Sequence, residues 1–373
     1  MRMLLAGEWV DRDRKIDVQD PFDNSVIDTV PHGTAADVET ALAAAVVYER
    51  SQILLKTAKI VAEKQEEFAT TIAREGSKTI REARKEARRC VNTLTVSAEE
   101  AKRLNGETIP FDSFPGGEKR RGYYERVPIG VVLAITPFND PLNLVAHKLG
   151  PAVAAGNAVV LKPATVTPLS ALKLTEAFVE AGLPPNVLQT ITGFGTEIGD
   201  PLVADPRVRM ISFTGGVEAG LRVTKLAGLK KIGMELGSNS PVIVWRDADL
   251  DWAVETCVSG AFWAAGQNCI GVQRIYVHRE IYDRFRDGFV AATARYKIGD
   301  KLREETDMGP MINEGEAKRL ERWVREAVGV GARVLIGGGR RGALLEPTVL
   351  ENVPTTATIH REEVFGPTVN LYP

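Results

Sequence analysis

The chain has 373 residues, enough for two or three domains each with its own core, and its 44% hydrophobic and 26% charged residues are those of a folded globular protein, not a disordered or fibrous one. With 47 Lys plus Arg against 49 Asp plus Glu, the formal net charge of -2 sets up no global field towards nucleic acid or anionic lipid, so a small molecule is the expected partner. The three cysteines, Cys90, Cys257 and Cys269, are an odd number without CxxC spacing. They argue against a disulfide framework and a metal site and leave room for a chemically active thiol.

In chain order, MRMLLAGEWVDRDR turns polar too soon for a signal peptide, and no apolar run approaches the roughly 18 residues of a membrane span, so a cytoplasmic protein without membrane contact is expected. From Asp37 to about Leu104, apolar residues recur at three- and four-residue intervals, which predicts several amphipathic helices covering a sheet. Within them, Arg81 to Arg89 is interleaved with Glu82 and Glu86 and reads as a solvated face with intrahelical ion pairs. Gly106 to Pro128, with FPGGEKRR and YYERV, reads as a hairpin arm or as a simple surface loop. Apolar runs at 131 (VVLAI), 158 (AVVLK), 188 (LQTI) and 208 (VRMISF) then alternate with helical stretches beginning near Pro141, Pro168, Thr196 and Val217. That alternation predicts a doubly wound parallel sheet. A second α/β unit starts near Pro241, with PVIVW, a helix from Trp252 to Ala265, RIYVH and a helix from Glu280, and a boundary falls near Gly237.

Four places carry candidate chemistry. In VRMISFTGGVEAGL a strand ends at Thr214, turns through Gly215 and Gly216 and starts a helix with Gly220 in its first turn, the outline of a phosphate cradle or of an ordinary strand-to-helix turn. The earlier TGFGTEIG, with Gly193, Gly195 and Gly199, is one residue too long for the dinucleotide fingerprint and reads as a tight turn. Cys269 in AAGQNCIGVQR is flanked by small residues and is either a nucleophile, its pKa lowered by a helix terminus, or a packed small hydrophobe. Glu235 in MELG is a general base raised by partial burial or a surface residue, and Asn139 in TPFN is an oxyanion donor or a turn asparagine.

TPFN, LKPA, FTGG, MELG, GQNC and EEVFGP, in that order, resemble the aldehyde dehydrogenase superfamily from about Glu8 to the last residue. The resemblance implies a doubly wound dinucleotide-binding domain (1–105 and 129–236), an extended oligomerisation arm (106–128) and an α/β catalytic domain (237–373). It further implies that Cys269 attacks the aldehyde, that the Asn139 amide and the Cys269 N–H hold the oxyanion, and that Glu235 activates water, with Lys148 in a proton relay. NAD or NADP would lie across the strand ends, against Ile135, Thr136, Phe138, Lys162, Ala164 and Thr165. Its pyrophosphate would fall near Gly215 to Gly220, with Lys162 on the adenosine ribose and Glu363 on the nicotinamide ribose, Phe365 close by; Gly195, Phe213, Thr214, Gly216 and Leu236 complete the cofactor-binding set.

NDPLNLVAHK and GGRRGALLEPTVL look most like the group oxidising small anionic or hydroxylated aldehydes such as lactaldehyde, phosphonoacetaldehyde and glyceraldehyde 3-phosphate, with His147 and Asn268 as substrate contacts. Several residues depart from the family pattern. Thr165 stands where strictly NAD-dependent relatives often carry a carboxylate, which admits NADP. Gly216 replaces a serine, Asp140 an apolar residue, and Ser238 a glycine whose loss narrows the nicotinamide channel. The helical region at Val46 to Arg50 is shorter than in relatives. The sequence also stops at Pro373, soon after EEVFGP, where relatives continue into a strand that pairs between subunits, so a homo-oligomer is expected only with that segment present. An uncovered sheet edge is then expected, and the rival reading is a catalytically silent fragment that keeps the fold and binds nucleotide.

Overall fold

The computed structural model describes residues 1–5, 7–32 and 47–373. Of the helical region expected from Asp37, the part up to residue 46 lies outside the described residues. The rest forms Val47–Glu63, Gln65–Glu75 and Ile80–Ala101.

The larger sheet runs in the order Lys231–Glu235, Val208–Thr214, Val131–Ile135, Ala158–Lys162, Leu188–Thr190, Met3–Leu5, Glu8–Val10. The first five strands are parallel and the two N-terminal ones antiparallel. From Val131–Ile135 the chain winds outward through Ala158–Lys162 and Leu188–Thr190, then returns to add Val208–Thr214 and Lys231–Glu235 on the other side. Strand order therefore reverses between Val131–Ile135 and Val208–Thr214, and the crevice outside their carboxyl ends is where such sheets take ligands. The alternation of side chains explains the layering. Val132, Ala134, Val159 and Leu161 face a core with Leu54, Ile72, Cys90, Leu94 and Phe178, while Leu133, Val160, Ile211 and Phe213 face Leu202, Val203 and Val223. Cys90 is fully buried there, and burial pushes its thiol far above the ordinary range.

The second sheet runs Pro241–Val244, Arg274–Val277, Thr368–Tyr372, Thr348–Glu351, Arg333–Ile336, parallel except for the last pair. Its core gathers Phe262, Phe285 and Phe289 with Ile275, Val369 and Leu371. Thr368–Tyr372 occupies the centre of the sheet, and one edge is Pro241–Val244, where Ile243 is 71% exposed. Glu107–Ile109 pairs antiparallel with Gly122–Tyr124, so a hairpin forms within 106–128. No helix among the described residues is long and apolar enough to cross a membrane.

One expectation is overturned. The carboxylates of the Arg81 to Arg89 stretch do not lie on a solvated face: Glu82 and Glu86 are buried, and their partners are backbone N–H groups and Lys78. The basic residues pair outside the helix, Arg81 with Asp307, Arg84 with Glu66 and Glu304, and Arg89 with Asp140. Charge spacing along a helix fits both arrangements equally, because it carries no information on which face meets the rest of the fold.

Candidate active site

The Leu250–Phe262 helix, capped by Asp249, ends in the Trp263–Gly266 turn that leads to Cys269. Three successive residues there are left-handed, Ala264 (φ 49°), Ala265 (φ 54°) and Gly266 (φ 68°). For the two alanines this costs roughly 1–2 kcal/mol each, so the turn needs external support. A Cβ on Gly266 would lie 2.1 Å from the Gly366 carbonyl oxygen, so only glycine fits between the cysteine loop and EEVFGP. Buried Gln267 donates to Ala264 O (3.0 Å) and accepts from Ile312 N (2.9 Å).

Cys269 is half-buried. Burial pushes its thiol up; its own N–H and that of Ile270 pull it down, and the charges of Glu363 and Glu235 push it up again. This corrects the expectation of a thiol lowered by a helix terminus. Cys269 sits three residues past a short left-handed turn, where no aligned helix dipole reaches it, and it needs a base to ionise. Glu235, which ends the Lys231–Glu235 strand, is exposed, so the partial burial expected of it is also absent. Its neighbour Lys148 is buried in the Asn143–Ala154 helix and donates to Ser212 Oγ (3.0 Å). Burial lowers Lys148 to about 8, against the opposing pull of Glu235.

Because the folded-state pKa of Lys148 lies below its unfolded value, the unfolded chain binds the extra proton between about pH 8 and 10.5, and stability gained from this residue rises with pH across that window. Lys148→Met is expected to abolish that rise, worth roughly 3 kcal/mol at most from end to end. Urea unfolding of both proteins at pH 7.5, 9 and 10 checks it; parallel stability curves would refute the assignment.

Ser238 joins three parts of the site. Its hydroxyl donates to Cys269 O (3.0 Å), its N–H to Glu363 Oε1 (3.0 Å), and its carbonyl accepts from Gln273 Nε2 (3.1 Å). Beyond the bulk that the sequence shows, the Ser238 hydroxyl ties down the nucleophile loop. Glu363, half-buried, is raised by that burial and lowered by the Ser238 N–H and Arg319. Phe365 packs edge-on against Phe138 (centroids 5.8 Å apart), bringing EEVFGP against the TPFN loop. In that loop Asn139 is half-buried, and Asp140 is buried against Lys78 and Arg89. His147 is exposed, 3.5 Å from Thr93 Oγ1, and lowered first by partial burial and then by Arg89 and Lys148. Asn268 is half-buried, its side-chain carbonyl accepting from Ile270 N (3.4 Å).

Outside the carboxyl ends of Val131–Ile135, Ala158–Lys162 and Val208–Thr214 lies a cleft of about 410 Å³. Ile135, Lys162, Thr165, Gly195 and Phe213, which the resemblance sets against the cofactor, line it together with Phe194, Thr196 and Arg222, which the sequence does not single out. Phe194 and Thr196 belong to TGFGTEIG, which reads as a tight turn, whereas Gly195–Gly199 form one wide π-type turn that opens onto the cleft; Arg222 comes from the Val217–Ala227 helix, where nothing in the sequence marks its side chain. The size suits part of a dinucleotide. Lys162 is buried and lowered to about 8 by that burial; among the described residues its ammonium makes one hydrogen bond, to Pro163 O (3.1 Å), which leaves donors for a ligand hydroxyl. Thr165 Oγ1 donates to Gly193 O (3.0 Å) and brings no charge to the cleft. Thr136, buried, donates its N–H to Lys162 O (3.2 Å) and ties two of the strand ends together, with Ala164 half-buried beyond them.

Beside the cleft, the Val208–Thr214 strand turns through Gly215 and Gly216 into the Val217–Ala227 helix, whose first turn has no side-chain cap and is open to an anion. A Cβ on Gly220 would lie 2.4 Å from Leu236 Cδ2, so this glycine lets the helix pack onto the adjoining strand end. The cradle, the open helix start and Lys162 fit a nicotinamide dinucleotide.

Residues 9–373 match the model of the aldehyde dehydrogenase family. The chain is 50% identical over 366 residues to aspartate-semialdehyde dehydrogenase 1 of Pseudomonas canavaninivorans, covering 95% of this chain and 78% of that protein. It is 47% identical over 377 residues to 3-sulfolactaldehyde dehydrogenase of Priestia megaterium, covering 99% and 79%. The crystal structure of NADP-dependent glyceraldehyde-3-phosphate dehydrogenase from Bacillus halodurans, complexed with NADP, superposes with a TM-score of 0.95 at 35% identity, covering 100% of this chain and 80% of that one. The chain belongs to the aldehyde dehydrogenase family. It is an NAD(P)-dependent aldehyde dehydrogenase, with NAD or NADP as its cofactor.

Proposed function

We propose that the protein oxidises a small aldehyde bearing an anionic group to the carboxylate, with Cys269 as nucleophile. The observation that carries the chemistry is the Ser238 junction, which gathers Cys269 and Glu363, with Glu235 close enough for its charge to act on the thiol. The Cys269 proton passes to solvent water, and Sγ adds to the aldehyde carbon. The oxyanion accepts from the Asn139 amide and the Cys269 N–H. When bound, the nicotinamide supplies the hydride acceptor that turns this adduct into a thioester. Glu235, with Lys148 nearby, deprotonates the water that attacks the thioester, and Sγ leaves as the acid forms. Lys162, Thr165 and the Gly215–Gly220 turn hold the dinucleotide, and the absence of a carboxylate at 165 admits NADP. In the same reading, 1–105 and 129–236 bind the cofactor, 237–373 carry out the chemistry, and the 106–128 hairpin joins copies of the chain.

The anionic substituent is argued from Arg89 and His147. Arg89 is 53% exposed and meets Asp140, the neighbour of Asn139, at only 3.4 Å, leaving guanidinium donors for a ligand; His147 lies within its field. The names of the three relatives above all specify aldehydes with a carboxylate, sulfonate or phosphate group. Arg89→Met is expected to raise KM for glyceraldehyde 3-phosphate or phosphonoacetaldehyde on the order of 10-fold or more, with little change for neutral lactaldehyde. Initial rates with each aldehyde, using NAD and NADP in parallel, test this; an equal loss on all three would remove Arg89 from substrate recognition.

A further inference from the structure

The Ile80–Ala101 helix reaches both sides of the site through two buried carboxylates one turn apart. Glu82 Oε2 accepts from Thr79 N (2.8 Å), completing a capping box, while Oε1 accepts from Ala264 N (3.0 Å), the first left-handed residue of the strained turn before Cys269. Glu86 Oε1 accepts from both Leu142 N (2.8 Å) and Asn143 N (2.9 Å), and Oε2 from Lys78 Nζ (2.7 Å). The Asn143–Ala154 helix has no side-chain cap from its own N-cap residue, so Glu86 supplies it from another helix. Lys78, 2% exposed, also pairs with Asp140, so the residue next to Asn139 is held by the same cluster.

We propose that Glu82 and Glu86 are positioning residues that fix the nucleophile loop and the oxyanion loop to one rigid helix and so set the placement of Cys269 relative to Asn139. The inference rests on the roles given to those two residues under the proposed function. Burying two carboxylates is costly unless each oxygen is satisfied. Here every one of the four oxygens has a partner, and two of the three elements so joined carry the proposed chemistry. A misplacement of about 1 Å costs on the order of 10²-fold in rate.

In Glu82→Gln one oxygen becomes an N–H₂ group that must face either Thr79 N or Ala264 N, both donors. Thr79→Ala weakens the same helix start but leaves the Glu82 to Ala264 bond intact. The expected result is that E82Q lowers kcat and the alkylation rate of Cys269 by iodoacetamide at least 10-fold with nucleotide Kd unchanged, while T79A lowers Tm and leaves both rates alone. Equal rates in E82Q and T79A would overturn the nucleophile arm. For the other arm, E86Q is expected to cut kcat sharply in the wild-type background but little in Asn139→Ala, since it acts through Asn139; multiplicative losses would overturn it. If E82Q does not fold by near-ultraviolet dichroism, the E86Q cycle decides alone. Full kcat in N139A would instead refute the oxyanion role of Asn139 and leave the E82Q arm standing.

Discussion

Cys269→Ala is expected to abolish aldehyde oxidation, with a loss on the order of 10⁴-fold or more, while nucleotide binding stays within 2-fold of wild type. The asymmetry follows from the geometry. The 410 Å³ cleft and the Gly215–Gly220 turn are built on the larger sheet, whereas Cys269 sits on a loop of the second unit, held by Ser238, Gln267 and the close passage of Gly266 over Gly366. Removing one sulfur disturbs none of these. Reduced cofactor followed at 340 nm, with titration of NADP by fluorescence quenching, reads both halves of the result. Residual turnover within 100-fold of wild type would exclude Cys269 as the nucleophile. Undetectable turnover in the wild-type chain itself, with nucleotide still bound, would favour a silent nucleotide-binding protein.

Glu235→Gln separates the two halves of the reaction. The amide keeps the shape of a side chain that ends an edge strand and is open to solvent, so folding should be little affected. It cannot accept a proton, so the thioester should accumulate. Stopped flow is expected to show a burst of about one reduced cofactor per Cys269, followed by a steady rate lower by 10²–10⁴-fold. Added hydroxylamine, which needs no base, should restore turnover. A burst-free rate equal to wild type would assign water activation elsewhere. Glu235 is exposed, so its contribution comes from placement near the thioester and from Lys148, which burial holds at about 8.

Much of the fold was legible because its signals are local. VVLAI, AVVLK and VRMISF are apolar runs whose neighbours on both faces are helices, and each became a strand of the larger sheet. The N-terminal strands Met3–Leu5 and Glu8–Val10 left no trace, since three residues cannot display a period, and their order comes from pairing with a partner some 185 residues away. At the site, the residue types were readable but their electrostatics were not. The pKa of Cys269 depends on Glu363 and Glu235, distant in sequence, and the burial of Glu82 and Glu86 depends on which loops settle over their helix. Ser238 illustrates the same limit: a side chain's volume is written in the sequence, but the carbonyl its hydroxyl finds is not.

The two carboxylates of the Ile80–Ala101 helix are four residues apart, which an α-helix converts into a rise of about 6 Å and just over one full turn. The distance between the two sides of the site is thereby counted in residues. A single insertion or deletion between Glu82 and Glu86 would swing one carboxylate by about 100° off its loop, so this helix tolerates changes of side chain along its outer face far better than any change of length.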